Sequence, residues 1–364
     1  MPYNRELYKG RKTRRSWPRV LLIILLALIV IAVLLFYGLQ KYIVYTPNGV
    51  KLELPILQSA SPSAGSGTSA PQASAGLVID KTDYSNITAT AGDGLSAVKA
   101  IYVPASDITP EGINKYAERL SKGNALVMEL KPASGQLAWK SSVKEASSYA
   151  LNGTADLSSV ISGLKEKKVW LVAELSCCVD TLMAQRNIPA ALKTAAGAAY
   201  ADAEGGWIDP YSAEMRQYIV DLSNELISMG FDEILLTNVC HPEVEPSALG
   251  YSASRSTDAT AESVVAGYAL YVTRSLAGTS AVVSVVGTRD AISGAQGNKN
   301  GQNIGLLLKI FDRVYCYTDA QAYSAYMDDC KQYVTIGDVN TRFIPMCSGD
   351  LPGTDCWVLL DSAK

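Results

Sequence analysis

The chain has 364 residues, 32 Lys and Arg against 35 Asp and Glu, a net charge of −3, and one histidine, His241. One histidine rules out a multi-histidine metal site, and no basic face is visible for neutralising nucleic-acid phosphates. Seven cysteines without paired C-x-x-C spacing also argue against a zinc site, and no cofactor motif is present.

From Val20 to Leu39 the sequence VLLIILLALIVIAVLLFYGL has no charged residue. At 1.5 Å per residue such a helix is about 30 Å long, enough to cross a bilayer. A cleaved signal peptide is the nearest alternative, but Phe36, Tyr37 and Lys41 stand where small residues would mark a cleavage site. Before Val20 come Arg5, Lys9, Arg11, Lys12, Arg14, Arg15 and Arg19 against Glu6 alone. The positive flank predicts a cytoplasmic tail over residues 1–19, a single-pass span over 20–39 held in membrane lipid, and an acidic extracytoplasmic remainder. Tyr42–Tyr45 and Val50–Leu54 around Thr46-Pro-Asn-Gly49 read as a juxtamembrane β-hairpin over 40–57, with an Asn-Gly turn. Residues 58–76 are almost entirely Ser, Ala, Gly, Thr and Pro, which predicts a flexible tether about 25 Å end to end.

The folded domain is expected over 77–364. Eight short apolar runs rich in β-branched residues begin at Ala97, Ala125, Val169, Glu233, Ala281, Asp312, Thr341 and Cys356. Between them lie segments with helical three- and four-residue spacing, beginning at Ile113, Asp156, Ser212 and Glu262, several of which end in glycine. Eight strands alternating with helices predict an α/β fold, the (β/α)₈ TIM barrel; a doubly wound sheet is the rival, but no G-x-G-x-x-G follows the first strand.

In such barrels chemistry sits at the carboxyl ends of the strands. In ALVMELK, Glu129 and Lys131 share the less bulky face, and in VWLVAEL Glu174 shares a face with Trp170 and Val172. Glu129 and Glu174 then sit on adjacent strands, either as a carboxylate pair for glycoside hydrolysis or as part of an ion network with Lys131. Asp319 and Asp361 fall at strand ends, as mouth acids or as exposed loop acids. Tyr315, Tyr317, Trp139 and Trp207 either stack on sugar rings or pack. His241, after the fourth strand, reads as a general acid or a plain loop residue. Cys177 and Cys178 are neighbours and poorly suited to bridging each other; export permits bridges among Cys330, Cys347 and Cys356, and burial as small hydrophobes is the expectation for Cys240 and Cys316.

The segment GGWIDPYSAEMRQYIVDLSNELISMGFDEILLTNVCHP, from Gly205 to Pro242, resembles the glycoside-hydrolase TIM-barrel family of bacterial surface proteins. Trp207, Asp209, Pro210 and Tyr211 match one element of that family, and Phe231, Asp232, Glu233, Ile234, Val239 and Pro242 another. The strand-end positions and the resemblance together give an expected substrate-binding mouth at Lys131, Trp139, Trp207, Asp209, Thr237, Asn238, His241, Tyr315, Tyr317 and Asp319, with a cell-wall or extracellular glycan as ligand. It also implies losses: Thr237 stands where the family has an aspartate, Cys240 for an arginine, and Ser284 for a second acid. A threonine cannot replace a carboxylate as nucleophile or charge stabiliser. The sequence therefore favours a catalytically degenerate barrel that binds glycan or serves as a scaffold. The alternatives are an active glycosidase using Glu129 and Glu174, or a surface assembly module without a glycan ligand.

Overall fold

The computed structural model describes residues 43–46, 49–52, 79, 87, 92–120, 124–251, 259–294, 299–349 and 353–361. The expected cytoplasmic tail, membrane span (20–39) and tether (58–76) lie outside them; among the described residues no helix is long and apolar enough to cross a membrane. The chain divides into two units, 1–68 and 69–364. In the first, Ile43–Thr46 pairs antiparallel with Gly49–Leu52. In this register Ile43 pairs with Leu52 and Tyr45 with Val50. Gly49 pairs with Thr46 at the end of this ladder.

The second unit contains a closed barrel of eight parallel strands. They are β1 (Lys99–Val103), β2 (Ala125–Lys131), β3 (Trp170–Ser176), β4 (Glu233–Thr237), β5 (Val282–Val286), β6 (Arg313–Tyr317), β7 (Phe343–Ser348) and β8 (Trp357–Leu360). Each pairs with the next and β8 closes on β1. The main helices are α1 (Pro110–Glu118), α2 (Ser158–Glu166), α3 (Ala213–Met229), α4 (Ala261–Leu276), α5 (Ile304–Ile310) and α6 (Ala320–Lys331). Among the described residues no helix joins β7 to β8.

Local chemistry sets the helix ends. Thr109, Ser212, Asn303 and Asp319 each accept a first-turn backbone N–H, Thr260 and Ser263 form a reciprocal capping box, and Gly230 ends α3 at φ 116°. Strand alternation sets the layers. Leu126, Met128 and Leu130 of β2 and Leu171, Ala173 and Leu175 of β3 face outward, against Ile161, Leu164, Leu222 and Leu226 of the helices. Tyr102, Val127, Val172, Leu235, Tyr315, Ile344 and Val358 fill the barrel.

The barrel interior also holds a charge. The Glu233 carboxylate, fully buried, pairs with Arg313 at 3.0 Å and accepts from Tyr315 Oη at 2.8 Å, Ser284 Oγ at 2.6 Å and Trp170 Nε1 at 3.0 Å. Arg313 also donates to the Ser96 carbonyl. Four donors on one carboxylate are what make a charge at this depth tolerable.

All seven cysteines are free, and all but half-buried Cys240 are buried. The bridges that export would permit among Cys330, Cys347 and Cys356 are therefore not formed; these side chains are apolar filling. Burial pushes the thiols of Cys177, Cys240, Cys316 and Cys330 up to about 12, and that of Cys347 up to about 11. Unfolded thiols ionise near pH 8.5, so above that value the unfolded chain has released protons that the folded chain keeps. The stability these thiols contribute is complete below about pH 8.5 and is lost as pH rises toward 12, at up to about 1.4 kcal/mol per pH unit per thiol. Urea unfolding should accordingly show a midpoint that drops steeply between roughly pH 9 and 11. A midpoint flat across that window would contradict the burial of these thiols.

Candidate functional site

β2 and β3 run long at their carboxyl ends, and their ladder sets Glu129 directly opposite Glu174. Both carboxylates line a cleft of about 590 Å³ at the barrel mouth. Glu129 Oε2 accepts the Ala105 N–H at 3.1 Å, and the Tyr102 hydroxyl donates to Glu174 Oε1 at 3.2 Å. Tyr317, at the end of β6, lines the same cleft. Burial, and then the charges of Glu174 and Glu129, hold the Tyr102 and Tyr317 phenols well above their ordinary value, so both remain hydrogen-bond donors.

Sequence does not single out Tyr102. The signal was available in its alternation with Ala100 on β1, but it becomes meaningful only once β1 and β2 are known to be neighbours.

Lys131 does not belong to this mouth. The register shifts between Glu129 and Lys131, which breaks the alternation that would have kept the two on one face. Lys131 Nζ instead pairs with Asp180 Oδ2 at 2.8 Å and donates to the Ser176 carbonyl at 2.7 Å, both charged groups being sealed from solvent. Asp180 Oδ1 in turn accepts the Met183 N–H, capping a short helix over Thr181–Arg186. Gly135, at φ 88°, passes so close that a side chain there would run into the Asp180 carboxylate.

The ends of β4 and β5 supply further walls. Thr237 and Asn238 line the cleft with half-buried Cys240. Asn238 adopts φ 53°, a left-handed conformation that Asn tolerates, and donates to Ser176 Oγ at 2.8 Å. On β5 the cleft residue is Val286; Ser284 lies deeper in the barrel, bound to Glu233. Gln302 joins the two strand ends through donations to the Val239 and Val286 carbonyls at 3.1 Å. A tip carrying Glu204, between the paired strands Ala201–Asp202 and Gly205–Gly206, also reaches the cleft.

Glu129, Glu174, Thr237, Asn238 and Tyr317 of the expected site thus come together. The others do not line this cleft. Trp139 is buried with Nε1 on Glu225 at 3.1 Å, and Trp207 is buried in the apolar layer outside the barrel, so neither ring is offered for stacking. Tyr315 belongs to the Glu233 network. Asp209 is buried and accepts the Tyr211 N–H, a local turn contact. Buried His241 contacts the Pro242 carbonyl through Nδ1 and the Tyr251 hydroxyl through Nε2 at 2.7 Å. Asp319 caps α6, and Asp361 pairs with Arg119, whose hydrogen bonds hold that carboxyl below the usual range. Among the described residues no group of His, Cys, Asp and Glu is arranged to hold a metal ion.

Residues 100–331 match the model of a family described as "Putative glycosyl hydrolase domain". Among solved structures, the glycoside hydrolase domain of PgaB (BpsB) from Bordetella bronchiseptica is similar at 14% identity and TM-score 0.50, over 72% of this chain and 94% of that one. A hypothetical protein from Ruminiclostridium thermocellum is similar at 17% identity and TM-score 0.45, over 51% of this chain and 96% of that one. Aspergillus fumigatus Ega3, solved in complex with galactosamine, is similar at 11% identity and TM-score 0.41, over 76% of this chain and 95% of that one. At 14% identity the likeness to the Bordetella domain concerns the fold alone. No curated protein matches significantly.

Proposed function

The chain belongs to the family described as "Putative glycosyl hydrolase domain", and from that premise we propose that it hydrolyses glycosidic bonds at the barrel mouth with Glu129 and Glu174 as its two carboxyl groups. The observation that carries this reading is their direct opposition on neighbouring strands within one cleft, while the nearby lysine is taken up by Asp180. Neighbouring strands lie about 4.8 Å apart, which suits the roughly 5 Å carboxyl separation of retaining enzymes better than the wider gap of inverting ones. One carboxylate would attack the anomeric carbon while the other protonates the leaving oxygen. The second would then draw a proton from water as the glycosyl ester is hydrolysed. Tyr102, through its hydroxyl on Glu174, holds that side chain in place.

In this reading residues 20–39 anchor the chain, residues 1–19 stay in the cytoplasm, and the substrate is a glycan of the cell envelope. The test is a hydrolysis screen over envelope and extracellular glycans with the full-length chain. Turnover with net retention is expected, lost by about 10³-fold or more in Glu129→Gln and in Glu174→Gln with circular dichroism unchanged. Undiminished turnover in either variant would overturn the assignment. The second reading, a barrel that binds glycan without cleaving it, draws on Thr237, an uncharged cleft residue at the end of β4. Binding without turnover in the same screen would favour it.

A further inference from the structure

The β5 side of the same cleft carries a cation that the hydrolytic reading does not use. Arg289 lines the cleft with its side chain exposed. Its Nε donates to the Tyr317 carbonyl at 2.9 Å, which ties it to the end of β6. Its backbone is held as well: the preceding residue, Thr288, gives its N–H to Gln302 Oε1 at 2.8 Å and accepts from Asn300 Nδ2 at 3.1 Å, and both partners are buried. Among the described residues Nη1 and Nη2 have no hydrogen-bond partner, and no carboxylate lies within ion-pair distance of Arg289, although three glutamates line the same cleft.

A guanidinium fixed through Nε presents its two remaining nitrogens as a planar fork, the shape that matches a carboxylate with two parallel hydrogen bonds. Among the described residues, the other charged residues lining the cleft, Glu129, Glu174 and Glu204, are acidic. An acidic sugar would therefore be attracted at one point and repelled elsewhere, which fixes its orientation as well as its position. Resting on the glycan reading above, we infer that Arg289 forms a subsite for the carboxylate of a uronic-acid residue, so that the substrate is an acidic glycan.

The test is calorimetric titration of the full-length Glu174→Gln chain, in which turnover is expected to be lost, using glucuronate- and galacturonate-containing oligosaccharides and their carboxyl-reduced neutral counterparts. The acidic oligosaccharides should bind about tenfold tighter or more, as a charge-assisted pair contributes. Adding Arg289→Gln should abolish that preference, and Arg289→Lys should restore only part of it. Equal binding of acidic and neutral sugars, or a preference that survives Arg289→Gln, overturns the inference while leaving the glycan reading intact. Tighter binding of a sulfated oligosaccharide than of the uronate overturns the carboxylate assignment. Binding of none of these sugars, together with no turnover in the hydrolysis screen, overturns the inference and the glycan reading together.

Discussion

Replacing Arg313 with Met should lower the unfolding free energy by about 3–5 kcal/mol, because it strands the Glu233 carboxylate inside the barrel without a counter-ion. Glu233 and Arg313 are both fully shielded from water, so no solvent can take over the lost interaction. The Ser284, Tyr315 and Trp170 donors would remain, but three neutral donors do not replace a cation at this depth. The variant Glu233→Gln/Arg313→Met should be more stable than Arg313→Met alone, since the amide keeps its acceptor oxygen and carries no charge. Urea denaturation of the four chains forms a double-mutant cycle. A loss below about 1 kcal/mol in Arg313→Met would mean that the pair is neither buried nor coupled as described.

Lys131→Met should cost a similar amount, about 3–5 kcal/mol, by leaving Asp180 as an unpaired buried charge. Here the damage is local as well. Asp180 caps the Thr181–Arg186 helix, and its backbone N–H is bonded to the Gly206 carbonyl at the base of the Glu204-bearing tip. The variant should therefore lose protection from amide hydrogen exchange in residues 180–206 before the rest of the barrel does. Had Lys131 been a substrate ligand, as its alternation with Glu129 suggests, the same substitution would weaken glycan binding and leave thermal stability unchanged. Thermal denaturation beside hydrogen exchange separates the two.

Much of the barrel is legible in the residue pattern. The runs at Ala125, Val169 and Glu233 coincide with β2, β3 and β4 to within a residue or two, since strand alternation and flanking turn residues are local properties. Period two also places Glu129 and Glu174 on the inner face. The helices α5 and α6 are harder to read: α5 is seven residues long and buried on most sides, so it lacks a polar stripe.

The candidate site is only partly legible. Trp139, Trp207 and His241 are chemically suited to a sugar site, and nothing in their sequence surroundings distinguishes a ring facing a cleft from one packed beneath it. Ser284 and Val286 share a face of β5, and which of them reaches the mouth depends on the stagger of strands around the barrel. Tyr102 and Arg289 act through partners 72 and 28 residues away, which no local pattern reveals.

By itself, then, the sequence determined the apolar character of residues 20–39, the strands and their faces, several helix caps and the choice of Glu129 and Glu174 as facing acids. Each of these depends on the periodicity or chemistry of a few consecutive residues. Only the tertiary structure decided that Lys131 goes to Asp180, that Glu233 and Tyr315 form a sealed interior network, and that Arg289 stands in the cleft with no carboxylate at ion-pair distance among the described residues. Those outcomes depend on register, stagger and the shift in the β2–β3 ladder. They follow from how distant strands close around one another, and no short stretch of chain encodes that closure.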